Sequence, residues 1–597
     1  MDALQFYAER IIQLEEKLNK LRTKKNILSG LRLGSILLLL MILYFFWNAG
    51  IIYLLVAIVI LMAIFTRLLY KDLTNRALIK HTQHLVEINK DEVKAINHDY
   101  YQFDDGEKLK PKDHYYALDM DILGHASLFQ FINRTTSAMG ADNLAAWLLS
   151  GAHANGIIQR QEAVKELGKK ITWNQELIAI GKETLIQTET RDRLLNWLNA
   201  PTIFSQFRHW KWLRYFLPAV ILSIVAATIA DLLTMNVLYL SLLAFAILAF
   251  QLNKFIGPLH EQLSKMVDEI DALSTSVAAI ETEKFNAPYL SALQLQIKKN
   301  QETTASTNIK QLKKILDRLD IRYNIVISFP LNILLLWNLQ QALDLEQWKK
   351  QHSSDVNTWF EVLASFEALI SFATIHFNNP SWCFPRLRED HFYLHATELG
   401  HPLIPEGKRV NNTVDIASKM KIMLVTGSNM AGKSTYLRSV GVNMVLAMAG
   451  APVCATEFEF SPVQLLSSMR IADNLEESTS TFYAELKKLK TIIEKVNQHE
   501  KVFVLLDEIL RGTNSADRHS GSVALIKQMI RKQAAGIIAT HDLALAEMEK
   551  DFPNEILNYH FDVQVSGEEL YFDYSLKPGV CQSMNASILM KKIGIEL

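Results

Sequence analysis

Neither sign of charge dominates this chain of 597 residues: 62 Lys and Arg stand against 63 Asp and Glu, a formal net charge of −1. A protein that coats duplex nucleic acid carries a basic excess that displaces counterions, so any such contact must here be local. Cysteine is scarce. Cys383, Cys454 and Cys581 lie far apart and form no CxxC pair, which argues against a disulfide framework or a thiolate zinc site and fits a reducing compartment. Charge is absent from Leu33 to Phe65, and between Tyr215 and Leu252 only Asp231 carries one. No small-residue cleavage site follows the first apolar run, which argues against a cleavable signal peptide.

A single helix over Leu33 to Phe65, rising ~1.5 Å per residue, would reach roughly 50 Å against a hydrocarbon core of roughly 30 Å, so a break is expected. Asn48-Ala49-Gly50 supplies one and divides the run into two short spans, Leu33 to Trp47 and Ile51 to Leu69. Asp231 divides the second run in the same way. Lys17, Lys20, Arg22, Lys24, Lys25 and Arg32 precede the first hairpin and Arg67 and Lys71 follow it. Arg208, Lys211, Arg214 and Lys254 flank the second, and neither turn carries Lys or Arg. The expectation is two transmembrane helical hairpins, residues 33–70 and 208–254, with the N-terminus and everything outside the hairpins on the cytoplasmic side. Buried helices of a soluble core are the alternative, which two uncharged double-length runs disfavour. A third run, Ile325 to Leu339, contains Pro330 and Asn332; as a span it would invert the downstream topology, so it is read as a buried helix.

Leu4, Tyr7, Ile11, Leu14, Leu18 and Leu21 recur at steps of three and four, the pattern of a short coiled coil over residues 1–32 or of an amphipathic helix packed on its own chain or on a bilayer surface. Residues 71–112 read as a linker. Residues 113–207 and 255–385 read as helical, with sparse Gly and Pro and spacings such as Leu263, Met266, Ile270 and Leu273. Residues 386–597 read as an α/β unit.

That unit carries the chemistry. Gly427-Ser428-Asn429-Met430-Ala431-Gly432-Lys433-Ser434 matches G-x-x-x-x-G-K-[ST], with a strand pattern before it and a helical pattern from Thr435 after it. Backbone N–H groups and the helix N-terminus would then converge on phosphate, with Lys433 on the β- and γ-phosphates and Ser434 on Mg²⁺. Val502 to Leu506 is a second buried-strand pattern ending in Asp507-Glu508, where Asp507 can support Mg²⁺ and Glu508 can act as general base. Gly536 to Thr540 is a third, ending at His541, which can hydrogen-bond a γ-phosphate. Three strand-end motifs in this order predict a nucleotide hydrolase.

These stretches resemble the MutS family of DNA mismatch repair ATPases: Thr426 to Thr435 with Asn429-Met430 inside the loop; Asp473-Asn-Leu475 with Ser480-Thr481-Phe482 and Glu485; Asp507-Glu508 with Arg511-Gly512-Thr513; and Ala539-Thr540-His541. Upstream, Leu128 to Leu149 resembles the start of that family's core and lever region, and His401-Pro402-Leu403 the start of its ATPase domain. The resemblance implies an ABC-type P-loop ATPase that works as a dimer, with Ser480 reaching the γ-phosphate held by the partner, and with Asn429 and His541 sensing nucleotide state. It also implies closing helices after Lys577-Pro578-Gly579 and a DNA partner. The chain departs from the family where membrane spans stand in place of a mismatch-reading domain, and no Phe-x-Glu wedge occurs in a comparable setting. The expected protein is a membrane-anchored, homodimeric MutS-like ATPase using ATP and Mg²⁺. The alternatives are an ABC-type transporter subunit, opposed by the missing Leu-Ser-Gly-Gly-Gln signature, and an ATP-binding membrane scaffold.

Overall fold

The computed structural model describes residues 2–45, 51–204, 209–298, 304–416, 421–428, 431–469, 481–498, 500–566 and 569–581. Its longest elements are two helices, Ala3–Phe45 and Ile51–Ile96, packed as an antiparallel hairpin. The heptad-like series at the N-terminus is used within the chain: Tyr7, Leu14, Leu18 and Leu28 are buried, and the seam is tied by Lys90–Glu15 (2.7 Å) and Arg32–Asp72 (2.9 Å). Asn75 Nδ2 also donates to the Leu21 carbonyl (2.9 Å). Of the two readings of this stripe, the structure shows packing on its own chain.

The expected linker at 71–112 also needs correction, because the second helix continues unbroken to Ile96. Its polar composition concealed one inward face, on which Asp72, Thr82, Leu85, Ile88, Asn89 and Glu92 are buried. At the base of the hairpin, Tyr7 Oη donates to Asn378 Oδ1 (2.7 Å). The outer part is different: Leu37, Leu40, Met41, Tyr53, Val56 and Val59 all face outward.

A second hairpin, Trp210–Ile229 with Met235–Ser264, repeats this design. Arg214 pairs with Asp344 (2.8 Å), Asn338 Nδ2 donates to Asn253 Oδ1 (3.1 Å), and His260 meets Asp320 (2.6 Å), so its base is held by polar contacts. Phe216, Leu222, Leu243, Ile247 and Phe250 face outward. All four hairpin helices are long and apolar enough to cross a membrane.

The third apolar run is not the buried helix its composition suggests. It forms Ile325–Leu335, bent by 78° from Trp337–His352 at Leu336, whose φ is 50°. Ile325 and Val326 are 78% and 80% exposed. The centre of the helical body is instead Val356–Asn378, buried from Phe366 to Ile375. Glu367 on that helix accepts hydrogen bonds from Thr136 Oγ1 (2.6 Å) and Ser137 Oγ (2.5 Å). It thereby joins the helix to Ser137, whose hydroxyl caps Ala138–Leu149.

The C-terminal part is built on a six-stranded sheet in the order Leu576–Pro578, Ile556–Phe561, Ile422–Thr426, Ala535–Thr540, Val502–Asp507, Gln464–Ser468. All neighbours are parallel except the first pair. The continuous apolar runs read from the sequence are its central strands, buried along their whole length as a parallel sheet covered on both faces requires. Asp119 fastens this part to the helical body: it is buried, and its carboxylate accepts from Ser467 Oγ (2.6 Å), Met469 N (3.2 Å) and Lys488 Nζ (2.6 Å).

Candidate nucleotide site

Register brings the motifs together. Thr426 lies opposite Thr540 and Asp507 opposite Ala539, so the segments beginning at Gly427, Glu508 and His541 leave the sheet side by side at its carboxyl edge. Gly427 and Gly432 have φ of 144° and 103°, in the region that favours glycine. Space demands glycine as well: a Cβ at Gly427 would stand 2.7 Å from the Phe561 carbonyl oxygen, and one at Gly432 would stand 3.0 Å from the Tyr574 ring. Helix Lys433–Ala449 starts directly after this turn, with its free N–H groups at the loop.

Lys433 is buried and turned back on the loop, its Nζ donating to the carbonyls of Gly427 (2.7 Å) and Ser428 (2.9 Å), with His541 Nε2 at 3.2 Å. Burial pulls its pKa down to about 8, against the opposing pull of Glu508 and Asp507. Ser434 Oγ donates to Asp507 Oδ2 (2.5 Å). The other oxygen of Asp507, Oδ1, is buried and has no hydrogen-bond partner among the described residues. A serine hydroxyl beside an unsatisfied carboxylate oxygen is a hard-oxygen pair suited to Mg²⁺.

Glu508 adopts a φ of 51° just beyond the strand, which turns its side chain along the sheet edge. There it meets His541 Nε2, and Arg511 Nε approaches it at 3.0 Å. The hydrogen bond from His541, with Arg511 and Lys433 nearby, holds the Glu508 carboxyl below its usual pKa. Ala431 is buried in the loop and Thr435 sits exposed in the first helical turn. Asn429, Met430 and Ser480 lie outside the described residues, as does Asp473-Asn-Leu475.

Sequence reasoning assigned no site role to Arg511, Glu485 or Tyr574. Arg511 reaches both carboxylates, its Nη2 lying 3.8 Å from Asp507 Oδ2. Glu485, buried on helix Thr481–Asn497, accepts from the Leu510 backbone and links that helix to the Glu508 turn. Gly512 packs on Phe482 of the same helix, where an added Cβ would come within 2.6 Å. Tyr574 belongs to no motif; only tertiary approach sets its ring against Gly432. Asn412, at the start of strand Asn412–Ile416, lies beside it. Asn412 Nδ2 donates to the Tyr574 carbonyl (3.0 Å) and Asn412 Oδ1 accepts from Leu576 N (2.7 Å).

Residues 423–593 match the family model for MutS domain V. The chain is 34% identical over 217 residues to a DNA mismatch repair protein MutS of Chlorobium phaeovibrioides, covering 35% of this chain and 24% of that protein. It is 32% identical over 236 residues to a DNA mismatch repair protein MutS of Methanosarcina mazei, covering 38% and 26%. With the human MutS protein homolog 4 it shares 29% over 195 residues, 31% of this chain and 20% of the relative. The aligned segment thus spans about a quarter of the length of these two bacterial and archaeal relatives, 24% and 26%. The C-terminal part of this chain, residues 423–593, therefore matches MutS domain V, and the similarity to the two MutS proteins extends over 35% and 38% of the chain.

Proposed function

We propose that this protein is a membrane-anchored MutS-like ATPase that binds ATP with Mg²⁺, hydrolyses it as a homodimer and couples the cycle to DNA at the cytoplasmic membrane face. The observation that carries the reading is the convergence of Lys433, Asp507, Glu508 and His541 on one glycine-shaped loop. Lys433 is held by neutral carbonyls, so an incoming β/γ-phosphate offers it a stronger, charge-assisted partner and draws it outward. Ser434 and the unsatisfied Asp507 oxygen would hold Mg²⁺, which supplies charge neutralisation on the phosphates. Glu508, ionised at neutral pH, orients the attacking water and accepts its proton, and His541 bridges that carboxylate to the γ-phosphate position. Tyr574 offers an aromatic face beside the loop for the base. Ser480 of the partner subunit would complete the site by reaching the γ-phosphate.

The outward apolar faces of both hairpins support the anchor, and their flanking charges support a cytoplasmic orientation of the ATPase. The DNA component rests on the printed names of the relatives, whose alignments cover 35% and 38% of this chain and 24% and 26% of those proteins. A transporter is less well supported, because the one ionisable residue within the second apolar run, Asp231, stands at the turn and leaves no polar pathway.

Three measurements test these parts. Full-length protein should hydrolyse ATP, and Glu508→Ala should retain nucleotide without turnover; a wild type that binds without turnover would identify a scaffold instead. Plain and mismatched duplexes should be retained at low salt, and retention of neither would remove the DNA role. The protein should resist alkaline carbonate extraction, and release into the supernatant would remove the anchor.

A further inference from the structure

The Ile325–Leu335 helix is apolar, outward-facing and unexplained by the nucleotide site. From Tyr323 to Leu343 no residue carries a formal charge, Arg322 and Asp344 bracketing the run. Its polar side chains are used inwardly. Ser328 is buried, Asn332 Nδ2 donates to the Ser328 carbonyl (2.8 Å), and Asn332 Oδ1 accepts from the Asn338 backbone (3.0 Å) just past the bend. Leu336 N, at the bend, donates to the Asn332 carbonyl (3.1 Å). The interruption in helical geometry therefore occurs with these backbone donors satisfied from within the chain, the condition under which irregular backbone is tolerated at membrane depth.

What remains on the outside is hydrocarbon: Ile325, Val326, Ile327 and Phe329, the last 65% exposed. This face adjoins the second hairpin, against whose two helices Ile325–Leu335 packs, so the exposed apolar surface is continuous with theirs. Helix Val356–Asn378 is also apolar enough to span a membrane yet is buried over most of its length, so apolar composition alone does not distinguish the two.

We propose that Ile325–Leu335 is a third membrane contact, seated in the cytoplasmic leaflet against the second hairpin, with acyl chains as the occupant of its outer face. This rests on the reading of the hairpins as membrane-embedded. Its 11 residues extend only ~16 Å, about half of a hydrocarbon core, so the helix cannot cross. The 78° bend turns the chain away into Trp337–His352, whose Gln340 and Asp344 meet Arg214 at the hairpin base (2.9 and 2.8 Å). The chain enters and leaves on one side. Contact with lipid is thus gained without inverting the topology of the ATPase domain, the objection that made this run look like a buried helix.

The test places a benzophenone amino acid at Phe329, Leu243 or Tyr571, each exposed, in full-length protein reconstituted into phosphatidylcholine/phosphatidylglycerol vesicles, and measures photo-adducts with lipid. Phe329 is expected to give lipid adducts in a yield comparable to Leu243 on the second hairpin, with Tyr571 in the α/β domain at background. Lipid adducts at Leu243 with none at Phe329, or with Phe329 joined only to a second copy of the chain, would overturn the inference and leave the anchor standing. Background labelling at both positions would overturn the anchor itself, and this inference with it.

Discussion

The two ends of this molecule solve opposite problems. At the carboxyl edge of the sheet polar atoms turn inward: Lys433 Nζ lies 3.2 Å from His541 Nε2, which also meets Glu508, and beside them Ser434 Oγ lies 2.5 Å from Asp507 Oδ2. In the outer halves of the hairpins, Leu37, Val59, Leu243 and Phe250 direct apolar atoms outward, each more than half exposed among the described residues. The first region is specified by a handful of side chains at fixed spacing, where one atom changes the chemistry. The second is specified by a long absence of charge, in which many residues are interchangeable and only a charge matters. Substitutions should therefore act sharply at one end and diffusely at the other.

The largest effect is expected at Glu508. Glu508→Gln keeps the shape but removes the base, so kcat should fall about 10²–10⁴-fold with nucleotide binding retained; unchanged turnover would dissolve the contrast at its polar end. Leu243→Arg tests the apolar end, where a charge at mid-span costs about 2.5–3.5 kcal/mol of insertion. Less protein should reach the membrane fraction, while ATP binding by the inserted protein is unchanged. The same change at Ala368, buried in the core helix, should instead lower the melting temperature, and equal behaviour at the two positions would erase the distinction between covered and uncovered apolar helices.

Asp119 joins the ends. Asp119→Ala removes three acceptor contacts, charge-assisted hydrogen bonds each contributing about 1.5–3 kcal/mol. It should lower thermal stability and slow turnover together, because Lys488 sits on the helix that also carries Glu485. An unchanged melt would show that the join is not stabilising. The smallest effect concerns pH. Burial lowers the Lys433 pKa to about 8, so above that pH the nucleotide-free protein holds a neutral lysine that must regain its proton to bind phosphate. ATP affinity should weaken as pH rises through 8, approaching about tenfold per further pH unit, and a flat profile in direct binding would remove Lys433 from the phosphate contact.

Much of the site was legible because parallel strands announce themselves as short buried runs and their ends are where loops must turn. Ile422 to Val425, Val502 to Leu506 and Gly536 to Thr540 could be read as strands, and the residues following each became the candidates. Glu485 and Tyr574 are harder to assign because their proximity depends on packing between segments far apart in the chain, and Arg511, three residues beyond Glu508, because its approach depends on how the turn after the strand folds back. The N-terminal seam stays open between two readings in the sequence for a different reason. Steps of three and four describe a helix with an apolar stripe and are silent on whether the stripe meets another chain or, as Tyr7 and Leu14 do, a neighbouring helix of the same one. Residues 71–112 have the composition of a linker because the helical part, which ends at Ile96, buries one face and leaves the rest polar.

From the sequence alone came the phosphate loop, the order of the strand-end carboxylates and histidine, and the two uncharged hairpins, since each depends on chemistry confined to a short stretch. Tertiary structure alone decided what each apolar surface faces. Val356–Asn378 and Ile325–Leu335 are both apolar; one is enclosed and the other uncovered because the fold wraps the first with helices on all sides and bends the second outward at Leu336. Burial is a property of neighbours, and neighbours are chosen by the whole chain.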